Sequence, residues 1–373
     1  MSRLLRKLGT VVNIAGLSPE EVVSVVRPHA PDGVMAYRDD DLALVSLIAA
    51  ELGLDYHTSE VVPRLTDKLL QREALRKGGL PTPLCWEVPT DRSPAAIEAL
   101  AATVEFPVVL KPRSGSSGQY TMPVADAADL VRRVAMLPPQ AGAKKGMFVE
   151  QYLPSLATTG SERFGSYLSV ESLVAAGEIS HVAVTGRFPP AEPFRETGFF
   201  IPADLSRAQL ASVLEVATAA LRAVGVRTGD CHTEIKLTPE GPRVLEVNGR
   251  LGGGIPEMLM GASDVSLLRL SMRVAVGEPV VVDGPIPCAR VGWRFLFQPP
   301  TSARRVVSIE GLDRLAEVAG VKAVFVNRGP GDAVDWREGT RHYLYSVSGV
   351  SADYDGVLEI NRFLHEEVSI VYD

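Results

Sequence analysis

The chain is poor in cysteine. Cys85, Cys231 and Cys288 are its only ones, too few and too scattered for a disulfide framework, which points to a reducing compartment. Aromatic residues are scarce at 6%, and Trp86, Trp293 and Trp336 lie too far apart in sequence to form a stacking platform, so core or interface roles suit them better. No run approaches the roughly 18 apolar residues that a membrane-spanning helix needs. The opening MSRLLRKLGTVVNIAG joins basic residues to an apolar patch, but the patch is short and no small-residue cleavage site follows. Basic charge is in deficit as well: 38 Lys and Arg against 45 Asp and Glu give a net charge of −7, and basic runs are pairs such as Arg132-Arg133. That balance excludes a nucleic-acid surface. Internal repeats and low-complexity blocks are absent. The expectation is a cytoplasmic protein with no nucleic-acid or membrane partner.

What the chain does have is size and alternating period. Its 373 residues, 46% hydrophobic and 22% charged, suffice for two or three domains with a large buried core. TVVNIAG (10–16) and DGVMAY (32–37) read as strands, each followed by a helix: one begins at Ser18-Pro19-Glu20-Glu21, with a cap, a proline and first-turn acids, and one runs from Asp39 to Leu52. This βαβα opening predicts a small parallel sheet. TDKLLQREALRKGG predicts a further helix closed by glycines. From about residue 105 strands dominate, with a helix over Ser206 to Val224 and a closing helix near Tyr354 to Glu367. The change of character along the chain predicts boundaries near 75 and 285: an N-terminal α/β domain over 1–75, a middle region over 76–285 and a β-rich domain over 286–373.

The stretch VLEVNGRLGGG (244–254) begins as an apolar strand, then sets Glu246, Asn248 and Arg250 at every second position. It follows CHTEIKL across the turn-rich Thr238-Pro239-Glu240-Gly241-Pro242. Folding symmetrically about Glu240 pairs Glu234 with Glu246 and His232 with Asn248, and puts His232, Glu234, Lys236, Glu246, Asn248 and Arg250 on one face. Carboxylates directly opposite each other destabilise a sheet unless a cation lies between them. Hard oxygen ligands of this kind suit Mg²⁺, which takes one or two carboxylates plus substrate phosphates. A solvent face on which Lys236 and Arg250 neutralise the acids accounts for the hairpin equally, and a one-residue bulge would alter the register.

Elsewhere, VVLKPRSGSSGQY puts Lys111 at the end of an apolar strand, just before Ser114, Gly115, Ser116, Ser117 and Gly118. Such a loop offers backbone N–H groups to phosphate oxygens, with a lysine beside it. It is not a Walker A loop, since the lysine precedes the glycines; read alone it is also an ordinary linker. FVEQYL then ends a strand in polar residues whose backbone can meet a planar base. Cys231-His232 lacks a second pair at metal-ligand spacing, so zinc is excluded. His29, His57, His181, His342 and His365 are isolated, and no Gly-x-Ser-x-Gly nucleophile elbow occurs.

In order, TDK with Arg72, VVLKPRSGSSG, VEQYL, SVESL and HTEIKLTPEGPRVLEVNGRLGGG resemble the ATP-grasp superfamily of carboxylate-amine ligases, most of all the bacterial L-amino-acid (dipeptide) ligase type. The resemblance covers residues 65 to 260. It implies an ATP-grasp fold of mixed α/β and α+β character, with a shortened N-terminal parallel α/β domain, an ATP-grasp region over 76–285 with a flexible lid at about 105–165, and a C-terminal β-rich domain. It also implies ATP and Mg²⁺, with Mn²⁺ able to substitute, and an ADP-forming reaction through an acyl phosphate that joins an amino-acid carboxylate to a small amine, in secondary metabolism. On that resemblance, Lys68 and Lys111 contact ATP phosphates, the loop Ser114–Gly118 closes over them, and Glu150, Gln151 and Leu153 hold the adenine. Glu234, Glu246 and Asn248 bind the metal, Arg250 and Lys111 are catalytic, and Arg250, Gly253, Gly254, His232 and Glu196 face substrate. The chain departs from the pattern twice. Tyr167 occupies the position of a glutamate that helps hold the ribose, leaving Glu171 as the nearest acid, and Phe199 replaces a histidine that often follows Glu-Thr-Gly, which implies a different acceptor. Partners are small-molecule carboxylate and amine substrates, with a homodimer as a family-level expectation. The alternatives are a carboxylase-like or purine-pathway ATP-grasp ligase and a non-catalytic nucleotide-binding relative.

Overall fold

The computed structural model describes residues 6–156 and 163–373. Residues 157–162, part of the expected lid, and the first five residues of the chain lie outside the described set. Two sheets carry the site. The smaller has the order β1-β4-β2-β3, with β1 Cys85–Glu87, β2 Val108–Pro112, β3 Met122–Val124 and β4 Met147–Gln151. Helices Pro94–Ala101 and Ala127–Ala135 cover one face of it, and Ile97, Leu130 and Val134 pack there against Val108, Leu110 and Val149.

The larger sheet has the order β12-β13-β10-β7-β6-β5-β8-β9. Its strands are β5 Tyr167–Ala175, β6 Glu178–Arg187, β7 Gly198–Ile201, β8 Gly229–Thr238, β9 Gly241–Asn248, β10 Val291–Leu296, β12 Val321–Val326 and β13 Tyr345–Ser351. A third, two-stranded sheet pairs β11 Val306–Glu310 with β14 Ser369–Tyr372. Alternation along the strands decides which face does what. Val170, Ile235 and Val247 point to one side, where helix Arg207–Val224 presents Val213, Ala217, Ala220, Leu221 and Val224 at helical spacing. The opposite parity carries Ser169, Glu171, His232, Glu234, Glu246 and Asn248. A single helix thereby leaves the polar face of these strands turned toward the smaller sheet.

The N-terminal expectation needs correction. Neither 10–16 nor 32–37 forms a strand, the first strand of the described residues is β1, and every strand pair in them is antiparallel. Two short apolar stretches cannot make a stable parallel sheet by themselves, and Val11, Val12 and Ile14 remain 37–40% exposed. The helices there do form. Ser18 and Glu21 make a reciprocal capping box at the start of Pro19–Val26, and Leu42–Leu52 ends on Gly53 in the left-handed region.

Helix Lys68–Lys77 ties the two sheets together, capped by Asp67, whose carboxylate accepts from Leu69 N at 3.0 Å and pairs with Arg113 at 2.8 Å. From this helix Gln71, 1% exposed, donates to Val247 O and accepts from Val247 N, each at 2.8 Å, and donates to Arg64 O at 2.9 Å. Its amide thus replaces the missing neighbour of the edge strand β9. Replacing it by leucine leaves buried backbone groups unpaired, each costing about 1–3 kcal/mol. Chemical denaturation of Gln71→Leu is expected to show a loss of roughly 3 kcal/mol; a variant as stable as the parent would contradict this role for the amide.

Candidate active site

The hairpin of β8 and β9 sets the centre. Glu234 stands opposite Glu246 and His232 opposite Asn248, the pairing that symmetry about Glu240 predicts, although the chain reaches it by a different route. Thr238 pairs with Gly241, so only Pro239 and Glu240 form the turn, and a bulge at Leu245 restores the register. The bulge has a second effect. It presents Leu245 O to Arg72 Nη2 at 2.6 Å.

Three groups of ions surround this hairpin. Lys68 Nζ lies 2.7 Å from Glu246 Oε1 and donates to Gly115 O at 3.0 Å, so it already joins the acid to the serine-glycine loop. Arg72 and Lys111 both pair with Glu150, the former through Nε at 3.1 Å. Burial pushes the Lys111 ammonium down from its ordinary value, with Glu150 opposing, while Arg72 and Lys111 hold the Glu150 carboxyl below its ordinary value in spite of burial. Finally, His232 Nδ1 lies 2.5 Å from Glu171 Oε1 and its Nε2 lies 3.4 Å from Glu234 Oε1. Burial would lower the imidazole, but Glu171 and Glu234 raise it to about 9, so it is an imidazolium at neutral pH. Burial pushes Glu234 up, yet the hydrogen bond from His232 and the charges of His232, Arg187 and Arg250 hold it well below the carboxylate range.

The expected site residues fall into place around this centre, with some exceptions. Arg250 reaches the face, held by Asp39 Oδ2 through Nε at 3.1 Å and Nη2 at 3.0 Å. Asn248 donates through Nδ2 to His232 O at 3.3 Å, which leaves its amide oxygen for a ligand. Gly253 and Gly254 lead from Arg250 into helix Ile255–Ser263. Glu196 Oε1 accepts from Tyr167 OH at 2.8 Å and from Arg187 Nε at 3.1 Å. Glu171 is the clearest exception. Expected near the ribose, it is instead fully buried, and its oxygens accept from His232, from Ser169 Oγ at 3.2 Å and from Gly252 N at 3.1 Å. Its carboxylate is committed to the glycine turn. Glu150 offers no side chain at the expected adenine edge, because that carboxylate serves Arg72 and Lys111. At the same edge Gln151 N donates to Leu84 O and Tyr152 N to Pro107 O, whereas among the described residues Leu153 N donates to nothing.

The serine-glycine loop is docked against the C-terminal part of the chain. Thr340 N donates to Ser117 O at 2.8 Å, Arg341 Nη2 to Ser116 Oγ at 3.0 Å, and Glu338 accepts from Gln119 Nε2 at 2.6 Å and Tyr120 OH at 2.9 Å. A Cβ at Gly339 would lie 2.2 Å from Ser117 O, so glycine is required there. Thr340 Oγ1 also accepts from Glu196 N at 3.0 Å, linking the loop to the substrate-side segment. Asp39, Arg187, Glu338 and Thr340 were not singled out in the sequence. Only the Asp39-Asp40-Asp41 run hinted at the first of them.

The donor set fits a divalent cation of the magnesium kind. Two facing carboxylates and an amide oxygen are hard ligands, and among the described residues no three His, Cys, Asp or Glu side chains converge into a closed cage. That is the incomplete set expected where phosphates and water fill the remaining positions.

Residues 104–257 match the ATP-grasp domain family. The chain thus carries an ATP-grasp domain over those residues. It is similar to carnosine synthase 1 of Gallus gallus, 28% identical over 288 residues that span 72% of this chain and 30% of that protein. Among solved structures, the L-amino acid ligase of Bacillus licheniformis shares the fold at a TM-score of 0.76 and 22% identity, over 96% of this chain and 86% of that one. Phosphoribosylglycinamide synthetase of Anaerococcus prevotii does so at a TM-score of 0.65 and 14% identity, over 98% and 88%. The chain spans less than two thirds of the length of the curated relatives it matches first. No helix among the described residues is long and apolar enough to cross a membrane.

His57, isolated in the sequence, supports the site from behind. It is 2% exposed, donates through Nε2 to Gly249 O at 3.1 Å, and fills the space that a Cβ at Gly229 or Gly249 would need. It thereby fixes the turn that aims Arg250. Burial lowers its pKa from 6.5 to about 4. The folded protein therefore holds it neutral where the unfolded chain protonates it. Its contribution is full above pH 6.5 and is lost as the pH falls toward 4, by up to about 3 kcal/mol. Asp230, raised by burial to about 6, titrates in the same range with the opposite sign, so a difference measurement is needed. The stability gap between the parent and His57→Gln is expected to narrow from pH 7 to pH 4; a gap unchanged across that range would contradict the buried neutral state.

Proposed function

We propose that the protein is an ATP-dependent, ADP-forming carboxylate-amine ligase that makes an amide between an amino-acid carboxylate and a small amine. The observation that carries this reading is the facing pair Glu234 and Glu246, with Lys68 and Arg250 brought to it from separate parts of the chain and Lys111 held on Glu150. The printed names of the similar proteins, carnosine synthase and L-amino acid ligase, support it. In this reading residues 76–285 form the grasping unit and residues 286–373 complete its core, with lid residues 105–165 over the nucleotide.

The chemistry follows from charge. A substrate carboxylate oxygen attacks the γ-phosphorus of ATP, the bond to the bridging β–γ oxygen breaks, and ADP leaves an acyl phosphate. The amine nitrogen then attacks the acyl carbon, gives up a proton, and inorganic phosphate departs. Both reactants of the first step are anionic, so positioning and electrostatic offset carry most of the catalysis. Lys68 and Lys111 hold phosphate oxygens, and the loop Ser114–Gly118 supplies backbone N–H groups and excludes water. Leu153 N, with no partner among the described residues, offers the adenine a donor at the end of the strand that carries Glu150 and Gln151. Glu234, Glu246 and Asn248 hold Mg²⁺, or Mn²⁺ in its place, which when bound neutralises the phosphate oxygens. Arg250 stabilises the transferring phosphoryl group and, beside Gly253 and Gly254, the tetrahedral centre. His232, as an imidazolium, is a charged hydrogen-bond donor and not a base. Glu196 faces the incoming amine and takes its proton.

The test is to incubate the protein with Mg-ATP and a matrix of amino acids and small amines, following ADP, phosphate, AMP and product mass. ADP and phosphate released only when a carboxylate and an amine are both present support the ligase. Release that needs bicarbonate and no amino acid points to the carboxylase-like reading, and ATP binding without turnover points to a non-catalytic relative. Glu246→Gln is expected to abolish phosphate release while the fold, followed by circular dichroism, is retained; a folded variant with unchanged turnover would overturn the metal assignment. Lys111→Ala is expected chiefly to weaken ATP binding, and an unaltered ATP affinity would count against its phosphate role.

A further inference from the structure

Between β12 and β13 the chain leaves the larger sheet, and residues 336–341 cross to the serine-glycine loop. At one end of the crossing Trp336 packs against the core of the smaller sheet. Its middle lies on the loop. Arg337 O accepts from Tyr120 N at 2.7 Å, Thr340 N donates to Ser117 O at 2.8 Å, and the Glu338 carboxylate accepts from Gln119 Nε2 and Tyr120 OH. Arg341 Nη2 donates to Ser116 Oγ at 3.0 Å. Thr340, 7% exposed, also accepts through Oγ1 from Glu196 N at 3.0 Å. This short stretch therefore touches the smaller sheet, the loop and the segment that carries Glu196.

The backbone shows that the contact imposes a shape on the loop. Ser117 and Tyr120 have φ +61° and +53°, in the left-handed region that residues with a Cβ avoid. Such conformations persist only where the surroundings over-determine them. Here both residues are bonded to the crossing, Ser117 through its carbonyl and Tyr120 through its N–H and its hydroxyl. Gly339 meets the loop with no side chain between them. At φ +64° and ψ −144° its backbone is all but closed to other residues, and a Cβ there would lie 2.2 Å from Ser117 O and 2.8 Å from Gln119 N. The Glu196 segment is gripped through its backbone too: Glu196 N donates to Thr340, and Glu196 O accepts from Gln298 Nε2 at 2.7 Å. Among the described residues Thr340 alone hydrogen-bonds both the loop and this segment.

We propose that residues 336–341 are a strap that makes closure of the serine-glycine loop and seating of the Glu196 segment one event, with Thr340 as the positioning residue, so that the activated carboxylate meets the amine before it meets water. The proposal rests on the ligase reading and deepens it. An acyl phosphate has two fates. When the amine nitrogen attacks the acyl carbon, the bond from that carbon to the phosphate oxygen breaks, and amide and phosphate form. When a water oxygen attacks the same carbon, the same bond breaks, the carboxylate is regenerated with loss of a proton, and ATP has been hydrolysed without a product. A loop that opened independently of the segment would admit water while the amine was still unplaced. A strap bonded to both removes that state.

The experiment measures ADP released against amide formed, with Mg-ATP and the substrate pair found in the matrix, in wild type, Thr340→Val, Thr340→Ser and Gly339→Ala. Wild type is expected to release equal amounts of the two. Thr340→Val keeps the shape and the backbone bond to Ser117 but removes the acceptor for Glu196 N; it is expected to release about fivefold more ADP than amide, the factor that one lost hydrogen bond supplies, with KM for ATP unchanged. Thr340→Ser, which keeps the hydroxyl and loses the methyl, is expected to restore the equality, a rescue that packing alone would not give. Gly339→Ala, which drives the strap off the loop, is expected to weaken ATP binding and to raise the ratio as well. Equal ADP and amide in folded Thr340→Val and Gly339→Ala, or excess ADP in wild type, overturns the strap while leaving the ligase intact. Should no carboxylate and amine release ADP, the ligase reading fails by itself, and hydrogen exchange decides the strap. Mg²⁺ with the non-hydrolysable ATP analogue AMPPNP is expected to slow exchange in residues 114–120 and 194–198 together in wild type, and in 114–120 alone in Thr340→Val. Protection of one stretch without the other in wild type, of neither, or of both in Thr340→Val overturns it, and the wild-type result stands even where a variant fails to fold.

Discussion

Repulsion between Glu234 and Glu246 is the constraint around which the structure is arranged. Facing carboxylates on adjacent antiparallel strands are held together only by positive charge. Lys68 supplies it to Glu246, and His232, propped by Glu171, supplies it to Glu234. Each of these cations has its own support: Asp67 caps the helix that begins with Lys68, and the glycine turn gives Gly252 N to Glu171. A polar strand face beside an apolar helix-covered one follows from two-residue alternation alone. Charge balance across the face does not, and it depends on elements far apart in the chain.

Those elements meet through a few side chains. Arg72 touches Glu150 of the smaller sheet and Leu245 O of the larger, so the bulge that corrects the hairpin register also supplies the acceptor for a link between the sheets. Thr340 bonds both the serine-glycine loop and Glu196, so the loop over the phosphate region and the segment facing the acceptor are joined by one residue. Buried ion pairs such as Lys111 with Glu150 add little net stability, but losing either partner leaves an uncompensated charge. Their geometry, more than their energy, is what the site requires.

Much of this was legible in the sequence. The facing pairs of the hairpin followed from alternation and a turn, and they hold even though the turn is shorter than expected, because the bulge at Leu245 compensates. The closing helix expected near Tyr354 to Glu367 forms over those residues. Two kinds of information were not. The apolar stretches at 10–16 and 32–37 have strand composition but no partners, and pairing is a property of the whole fold. Asp39 gains its meaning only from a neighbour distant in the chain, holding Arg250 across 211 residues. Glu171 misled for the same reason. The resemblance left it as the nearest acid to the ribose, whereas the turn from Gly252 folds back and occupies its oxygens.

The central claim is that a carboxylate is activated by phosphoryl transfer at the Glu234–Glu246 hairpin. Positional isotope exchange tests it most directly. ATP labelled with ¹⁸O in the β–γ bridge is incubated with protein, Mg²⁺ and the carboxylate substrate alone, then recovered. Migration of label from the bridge into the non-bridging β oxygens, dependent on that carboxylate and absent in Glu246→Gln, is the predicted result. Label retained in the bridge by a preparation that nonetheless completes ligation when amine is added would contradict a reversible acyl-phosphate step.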